Sequence, residues 1–469
     1  MSVALWFAGL FVLFVAVGSL IAWLSRRMGI RTVEDFYTAG GRLGGFLAAL
    51  TYAATTYSSF MMVGLVGFAY STGVGSLGFE LAYLIATLGL LSLVGPRIWR
   101  MARERGWVSP SEVLSGVYGS RTLGVAVALL YLVALVPYAS AQFIGVGRVF
   151  EGLGLGFAYG VAAMFILSAL WTLIAGMWSV ATTDAFQGTW MIATAIALIA
   201  WLSTLIAGHD VDVARLVSEK GLLDLTSFWT PSTFLAFTIP WVFFAVTNPQ
   251  VVQRLYVPRD AKSYRRMVTL FGLYGWAYTL LVVGIGLIAA GLSAANILPP
   301  VDARDKVTPT LLTLAPAPLA AATYVGIVAA SISTVDSIVL SIASALSHEL
   351  GLRGLKAAYI AVLLINTAAA AVALSRPAPI VEMSVLSSLL LLPLAVPTII
   401  AALSPQSARG MGGYALASIV SGVAIAFAAA LILGPKKAFI FNIWGVPLSL
   451  IVLIVSTVLV LPVLLRHRG

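Results

Sequence analysis

Ala329-Ala330-Ser331-Ile332-Ser333-Thr334-Val335-Asp336-Ser337 sets four hydroxyls and one carboxylate inside an otherwise apolar run. An Asp at bilayer depth costs about 2.5 to 3.5 kcal/mol on insertion scales, so it has to face a protein interior, a cavity or an ion. On a helix, Ala330, Ser333, Thr334, Ser337, Ser341 and Ser344 form one stripe at i, i+3, i+4, i+7 spacing. The stripe has two readings. One is a close helix contact between small residues, with the hydroxyls bonded to their own i−4 carbonyls. The other is an alkali-cation site, where two hydroxyls and the carbonyls of a broken neighbouring helix supply about five oxygens. Asp336 favours the second, since packing has no use for a carboxylate.

The surrounding composition decides the class. Of 469 residues, 61% are hydrophobic and 9% charged, against about 45–50% and about 25% in soluble domains. Apolar runs of about twenty residues recur along the chain without ten-residue alternation, so the spans are helices and not barrel strands. The reading is an all-α polytopic membrane protein with about thirteen spans, at 3–24, 45–71, 77–96, 123–147, 156–178, 184–206, 232–253, 267–292, 318–346, 355–374, 378–402, 412–433 and 440–465. The first run is too long for a signal-peptide core and is read as a retained span. With the N-terminus outside and the C-terminus cytoplasmic, most of the 27 Lys and Arg fall on the cytoplasmic side. Arg466 and Arg468 belong to that side.

Cysteine is absent and only three His occur, His209, His348 and His467, which leaves little from which to build a metal centre. The net charge of +10 follows from orientation in a lipid bilayer and calls for no nucleic-acid partner. Two cytoplasmic segments carry much of it. Between Pro96 and Arg121, Ser109-Pro110-Ser111-Glu112 has the form of a capping box and predicts a short surface helix. The segment Arg254 to Arg266 reads as orientation signal and lipid-phosphate contact. The external loops 207–230 and 293–317 are long enough for short helices or a gate.

Five spans from 45 to 206 are followed by five from 232 to 402, and each block opens on a helix that looks breakable. Ala53-Ala54-Thr55-Thr56-Tyr57-Ser58-Ser59 is small and hydroxylated, and Thr247-Asn248-Pro249 removes a backbone donor. Interrupted helices at matching places in two halves point to a central transport site, because unwound carbonyls can hold a cation. Elsewhere, Asp184 reads as an N-cap at the start of the sixth span, Glu80 and Glu382 as span-end residues that reach water, and Trp171, Trp178 and Trp190 as packing.

Four stretches resemble the sodium/solute symporter family, which includes sodium-coupled pantothenate, monocarboxylate, proline and sugar transporters. They are Glu34-Asp35-Phe36-Tyr37-Thr38-Ala39-Gly40-Gly41-Arg42-Leu43-Gly44, Thr183-Asp184-Ala185-Phe186-Gln187-Gly188, Asn248-Pro249-Gln250-Val251-Val252-Gln253-Arg254, and the Ala-Ala-x-x-Ser-Thr-x-x-Ser pattern at 329–337. The resemblance implies a leucine-transporter-like fold of two inverted five-helix repeats and a single transporter domain over 1–469. That domain would comprise a first helix and cytoplasmic loop (1–44), repeats at 45–206 and 232–402, and two C-terminal helices (403–469).

The resemblance further implies sodium as coupling ion and no organic cofactor. Sodium would be held by the carbonyls of Ala54, Tyr57 and Ala330 and the hydroxyls of Ser333 and Thr334, with a second cation site at Asp184, Asp336 and Ser337. The solute pocket it implies is Thr56, Ser58, Met61, Gln142, Trp241 and Phe244. Met61 stands where the sugar carriers place a glutamine, which argues against a sugar. Trp241 resembles the proline carriers, although Thr56 replaces their acidic residue, and Pro137 to Gly145 resembles the pantothenate and monocarboxylate carriers. A small carboxylate-bearing solute fits helix amides beside a sodium ion. A monomer suffices for this, and an oligomer is left open. The competing classes are proton-coupled symport, a channel, an enzyme and a transporter-like sensor. An enzyme lacks a nucleophile, HExxH or GxSxG constellation here, and a sensor calls for a signalling domain after the last span.

Overall fold

The computed structural model describes residues 1–375 and 380–465. Arg466, His467 and Arg468 lie outside the described residues, as do the first positions of the expected span 378–402. Backbone groups in lipid have only each other to bond, so apolar segments of this length become helices. Among the described residues ten helices are long and apolar enough to cross a bilayer, or eleven with one bent pair counted as a span. The main helices are α1 (Val3–Ser25), α2 (Gly45–Thr56), α3 (Phe60–Thr72), α4 (Gly75–Leu93), α5 (Arg121–Gly152), α6 (Phe157–His209), α7 (Pro231–Val242) and α8 (Pro249–Arg254). They continue as α9 (Ala261–Ala294), α10 (Ala317–Glu349), α11 (Leu355–Leu374), α12 (Ile380–Leu391), α13 (Ala395–Leu403), α14 (Gly412–Leu433) and α15 (Leu448–Leu465).

The expected runs fall on these helices, with two differences. Residues 442–447 form a two-stranded hairpin, turned at Gly445 (φ 83°), so the last helix starts at Leu448 and not near 440. The loop expected at 179–183 is helical: the Thr182 and Thr183 hydroxyls donate to the Trp178 and Ser179 carbonyls one turn back, and no Gly or Pro interrupts them. The break in α6 lies earlier, at Ala175 (φ −149°, ψ 21°) and Gly176 (φ 51°, ψ −133°). Only glycine takes the latter conformation readily, and a side chain there would strike the Phe36 carbonyl. Asp184 is therefore not an N-cap but a mid-helix residue.

The two expected breaks are present. Tyr57 leaves the helical region (φ −94°, ψ 93°), and α2 and α3 meet at 51°. Asn248 is extended (φ −89°, ψ 117°), as a residue before proline must be. Both broken helices pack beside α10, in which every residue from Val325 to Ala345 is buried. A helix apolar on all sides belongs at the centre of a bundle, and here its neighbours are α1, α2, α5, α6, α8 and α11.

The segments expected on the cytoplasmic side knit together. Leu43 donates to the Val257 carbonyl and accepts from the Arg259 amide, both at 2.9 Å. Arg103 Nη1 donates to the carbonyls of Gly41 and Pro258. The surface helix expected after Ser109 is present at Glu112–Tyr118 but is docked: Val113, Leu114, Val117 and Tyr118 are buried. Only half of its capping box forms. The Glu112 carboxylate accepts from the Ser109 amide at 2.8 Å, while the Ser109 hydroxyl pairs with Ser111. The loops expected outside carry short helices at Val213–Glu219 and Val307–Leu312. Beside the latter, the Arg304 guanidinium lies over the rings of Phe68 (4.3 Å) and Phe228 (4.9 Å).

Candidate functional site

Ending α2 at Thr56 frees carbonyls in its last turn, and α10 supplies hydroxyls at the same level. The Ser333 hydroxyl lies 3.0 Å from the Ala54 carbonyl and 3.0 Å from that of Ala330. The Thr334 hydroxyl also reaches the Ala330 carbonyl at 3.0 Å. All four residues are fully buried. Four of the five residues expected around sodium thus form one cluster of neutral oxygens, the donor set that a hard monovalent cation prefers. The fifth, Tyr57, continues the chain from Ala54 in extended form, its ring stacked on Phe271 and Tyr274. Thr334 and Ser337 back-bond within α10, as the packing reading of the stripe expects, and Ser333 also reaches across to α2.

One turn further along α10 is a charged cluster. Asp184 Oδ2 accepts from the Thr51 hydroxyl at 2.6 Å and lies 3.5 Å from Arg254 Nη2. Arg254 donates to the Ser337 hydroxyl at 2.6 Å, and Ser337 shares a 2.8 Å hydrogen bond with Thr55. Arg254 and Asp184 are both completely buried. Arg254 thus departs from its reading as a lipid-contact residue: α8 turns inward after the Asn248-Pro249 break and carries the guanidinium under the bundle. Asp184 and Ser337 are brought together through it. Asp336, one position along the helix, sits instead beside Ser168 and Thr172, with neither oxygen in hydrogen-bonding geometry. The Ser168 hydroxyl is directed to Asn366 at 3.1 Å.

The expected solute residues divide. Thr56, Ser58, Met61 and Trp241 line one small cavity of about 10 Å³, room for about one water. Gln142 lies behind it, accepting from the Ser59 hydroxyl at 2.7 Å, and Phe244 stacks on Trp241 with ring centres 5.4 Å apart. The Ser58 amide has no hydrogen-bond partner among the described residues. Glu80 also lines the cavity and is only 4% exposed, so it is not a span-end residue reaching water. Helix α4 begins two residues earlier than expected and is roofed by the 222–229 segment, through Val74 to Leu222 and Trp229 to Thr72. Glu80 and Arg254 are the buried charged residues beside these clusters that the sequence reading placed elsewhere, and each had a signal. Glu80 is a carboxylate in an apolar run, and Arg254 closes a helix that opens on a break.

Comparison with known proteins bears on the family and the fold. Residues 36–434 match the model of the sodium:solute symporter family. A monocarboxylate transport permease protein of Rhizobium johnstonii is 25% identical over 64% of this chain, a match spanning 61% of that protein. A sodium/pantothenate symporter of Haemophilus influenzae is 24% identical over 70% of the chain and 68% of its own length. A Na+-coupled sialic acid symporter solved in a substrate-bound outward-open state superimposes with a TM-score of 0.81 at 18% identity, covering 97% of each chain. That likeness establishes the fold, which is the leucine-transporter-like architecture expected from the sequence.

Proposed function

We propose, from the premise that this chain belongs to the sodium:solute symporter family, that it couples uptake of a small organic solute to sodium by alternating access. The observation that carries the reading is the Ser333 hydroxyl 3.0 Å from the Ala54 carbonyl, which joins α10 to the broken α2 across the bundle. A sodium ion held by Ala54, Tyr57, Ala330, Ser333 and Thr334 would bridge the two repeats, 45–206 and 232–402. The free Ser58 amide and the N-terminal end of α3 favour a carboxylate on the solute. Pantothenate, a monocarboxylate or an amino acid such as proline all satisfy that requirement. The two relatives named above transport the first two.

Asp184, Asp336 and Ser337 constitute the second cation site of this reading, with Arg254 as a resident counter-charge. Two carboxylates and one guanidinium leave one negative charge, which one further cation neutralises. Uptake of a monoanion with two sodium ions is then electrogenic, and the potential contributes about 2.3 kcal/mol per 100 mV. A second reading, proton coupling, rests on the Asp336 carboxyl being buried without a hydrogen-bond partner. PH-driven uptake without sodium would favour it. In this reading a monomer in the plasma membrane, with its N-terminus outside, suffices for the cycle, and an oligomer is equally compatible with it.

The test is purified protein in vesicles and in detergent, with sodium compared with potassium. Sodium is expected to raise the unfolding midpoint and to be required for uptake, and Ser333→Ala with Thr334→Ala to raise the sodium concentration needed at least tenfold. A double variant with unchanged sodium dependence would end the proposal.

A further inference from the structure

From Ala438 to Leu465 the chain carries no Asp, Glu, Lys or Arg, and the hairpin at 442–447 lies inside that stretch. Its base is fixed. Phe439 is buried and meets Phe237 of α7 edge-on with ring centres 4.7 Å apart, while the Leu448 amide donates to the Phe441 carbonyl at 2.9 Å. Across the turn the Gly445 amide donates to Asn442 Oδ1 at 3.1 Å. Its tip is bare: Ile440, Phe441, Ile443 and Val446 are exposed, and Trp444 is 99% exposed.

Trp444 also takes a left-handed backbone (φ 51°), followed by Gly445 (φ 83°). A two-residue hairpin turn with positive φ at both central positions favours Asn-Gly, and a bulky aromatic at the first of them is strained. Strained residues persist where the surrounding structure over-determines them, and they gather where something is bound. An ordered, uncharged tip that displays five apolar side chains is a contact surface.

The depth of the hairpin identifies what it touches. Helix α15 has 18 residues, a rise of about 27 Å, against a hydrocarbon core of about 30 Å. Arg466 follows its last residue in the sequence and marks one interface. The other boundary therefore falls at or beyond Leu448, at the level of the hairpin. Indole rings collect at that level, with their apolar body toward the acyl chains and the N–H toward water. The exposed Lys437 beside the hairpin suits headgroup phosphate.

We propose that the 440–446 tip is seated in the headgroup and upper acyl region of the bilayer, with Trp444 as its anchor. With the N-terminus outside, this is the external leaflet. The seat is independent of which ion or solute the protein carries.

The absence of cysteine makes the test direct, because Ile443→Cys then gives a single nitroxide site beside an intact Trp444. In vesicles of palmitoyl-oleoyl phosphatidylcholine, collisions of the label with oxygen, which partitions into lipid, are compared with collisions with a water-soluble nickel chelate. Val458→Cys, exposed midway along α15, is the lipid reference, and Lys220→Cys, exposed in the 207–230 loop, the aqueous one. The label at 443 is expected to meet oxygen more often than nickel, and Trp444→Asn, which suits the turn, to shift it toward nickel. A label that matches Lys220→Cys overturns the proposal, and so does one that Trp444→Asn leaves unmoved. Dipolar coupling between labels on different molecules, lost on dilution with unlabelled protein, assigns the tip to a second copy and overturns it as well. Helical circular dichroism checks each variant, and Val446→Cys takes the place of Ile443→Cys if the latter does not fold.

Discussion

Replacing Arg254 by Met removes a positive charge that the bundle has buried completely. The guanidinium lies 3.5 Å from Asp184, where two unit charges attract by about 5 kcal/mol at an effective dielectric of about 20, before desolvation is subtracted. Desolvation has already been suffered by both partners, so the single variant leaves an uncompensated carboxylate and should lose about 3 to 5 kcal/mol. It also removes the donor that the Ser337 hydroxyl accepts at 2.6 Å, leaving that hydroxyl its bonds to Thr55 and the Ser333 carbonyl. Asp184→Asn should cost a comparable amount for the mirror-image reason. The double variant should cost clearly less than the two together, since neither charge is then left alone. The assay is unfolding in mixed micelles followed by helical circular dichroism, with the four proteins forming a double-mutant cycle. A loss below about 1 kcal/mol for Arg254→Met, or strictly additive singles, would refute the view that this pair is a buried unit.

Three further outcomes follow from single positions. Gly176→Ala puts a side chain at φ 51° against the Phe36 carbonyl and should cost about 1 to 3 kcal/mol, read as a lower unfolding midpoint; an unchanged midpoint would show that the α6 break relaxes freely. Burial, reinforced by nearby Glu349 and only partly offset by His348 and the Ser109 and Val108 amides, raises the Glu112 carboxyl above its ordinary 4.5. Its contribution to stability is therefore complete below about pH 4.5 and falls as pH rises through the raised value, by up to about 1.4 kcal/mol per pH unit. Glu112→Gln should flatten the unfolding midpoint between pH 4.5 and 8 relative to wild type, and parallel curves would count against this. Arg304→Gln removes the cation held over Phe68 and Phe228, worth about 0.5 to 2 kcal/mol, and should increase proteolytic cleavage in the 293–317 loop; equal cleavage would show that the rings do not anchor it.

The helical class and the breaks at Tyr57 and Asn248 were legible because both follow from local chemistry: long apolar runs, hydroxylated small residues, and a proline without an amide. The oxygen cluster was legible for a related reason. Ser333 and Thr334 stand out against alanine and isoleucine neighbours wherever the helix is placed. What the sequence hid depends on the direction taken after a break. Arg254 looks like any cytoplasmic arginine until α8 is turned under the bundle, and Glu80 looks like a span-end carboxylate until the 222–229 segment covers it. The α6 break differs from the expected one because Thr182-Thr183-Asp184 resembles a cap, whereas its hydroxyls bond inward along the helix and the real interruption is at Ala175 and Gly176.

The geometry also suggests why ion and solute would be coupled at all. Residues 51 to 58 serve every part of the site: Thr51 reaches Asp184, Ala54 reaches Ser333, Thr55 reaches Ser337, and Thr56 and Ser58 line the solute cavity. On α10 the two proposed ion clusters are one turn apart and joined by the Ser337 hydroxyl, which donates to the Ser333 carbonyl at 2.7 Å. A cation drawn to either cluster therefore fixes the last turn of α2, and that turn sets the position of Thr56 and Ser58. A ligand shifts a conformational equilibrium only by its difference in affinity for the two states. In the proposed alternating-access cycle, oxygens contributed by the two proposed repeats would provide such a difference if they stay together in one arrangement and separate in the other.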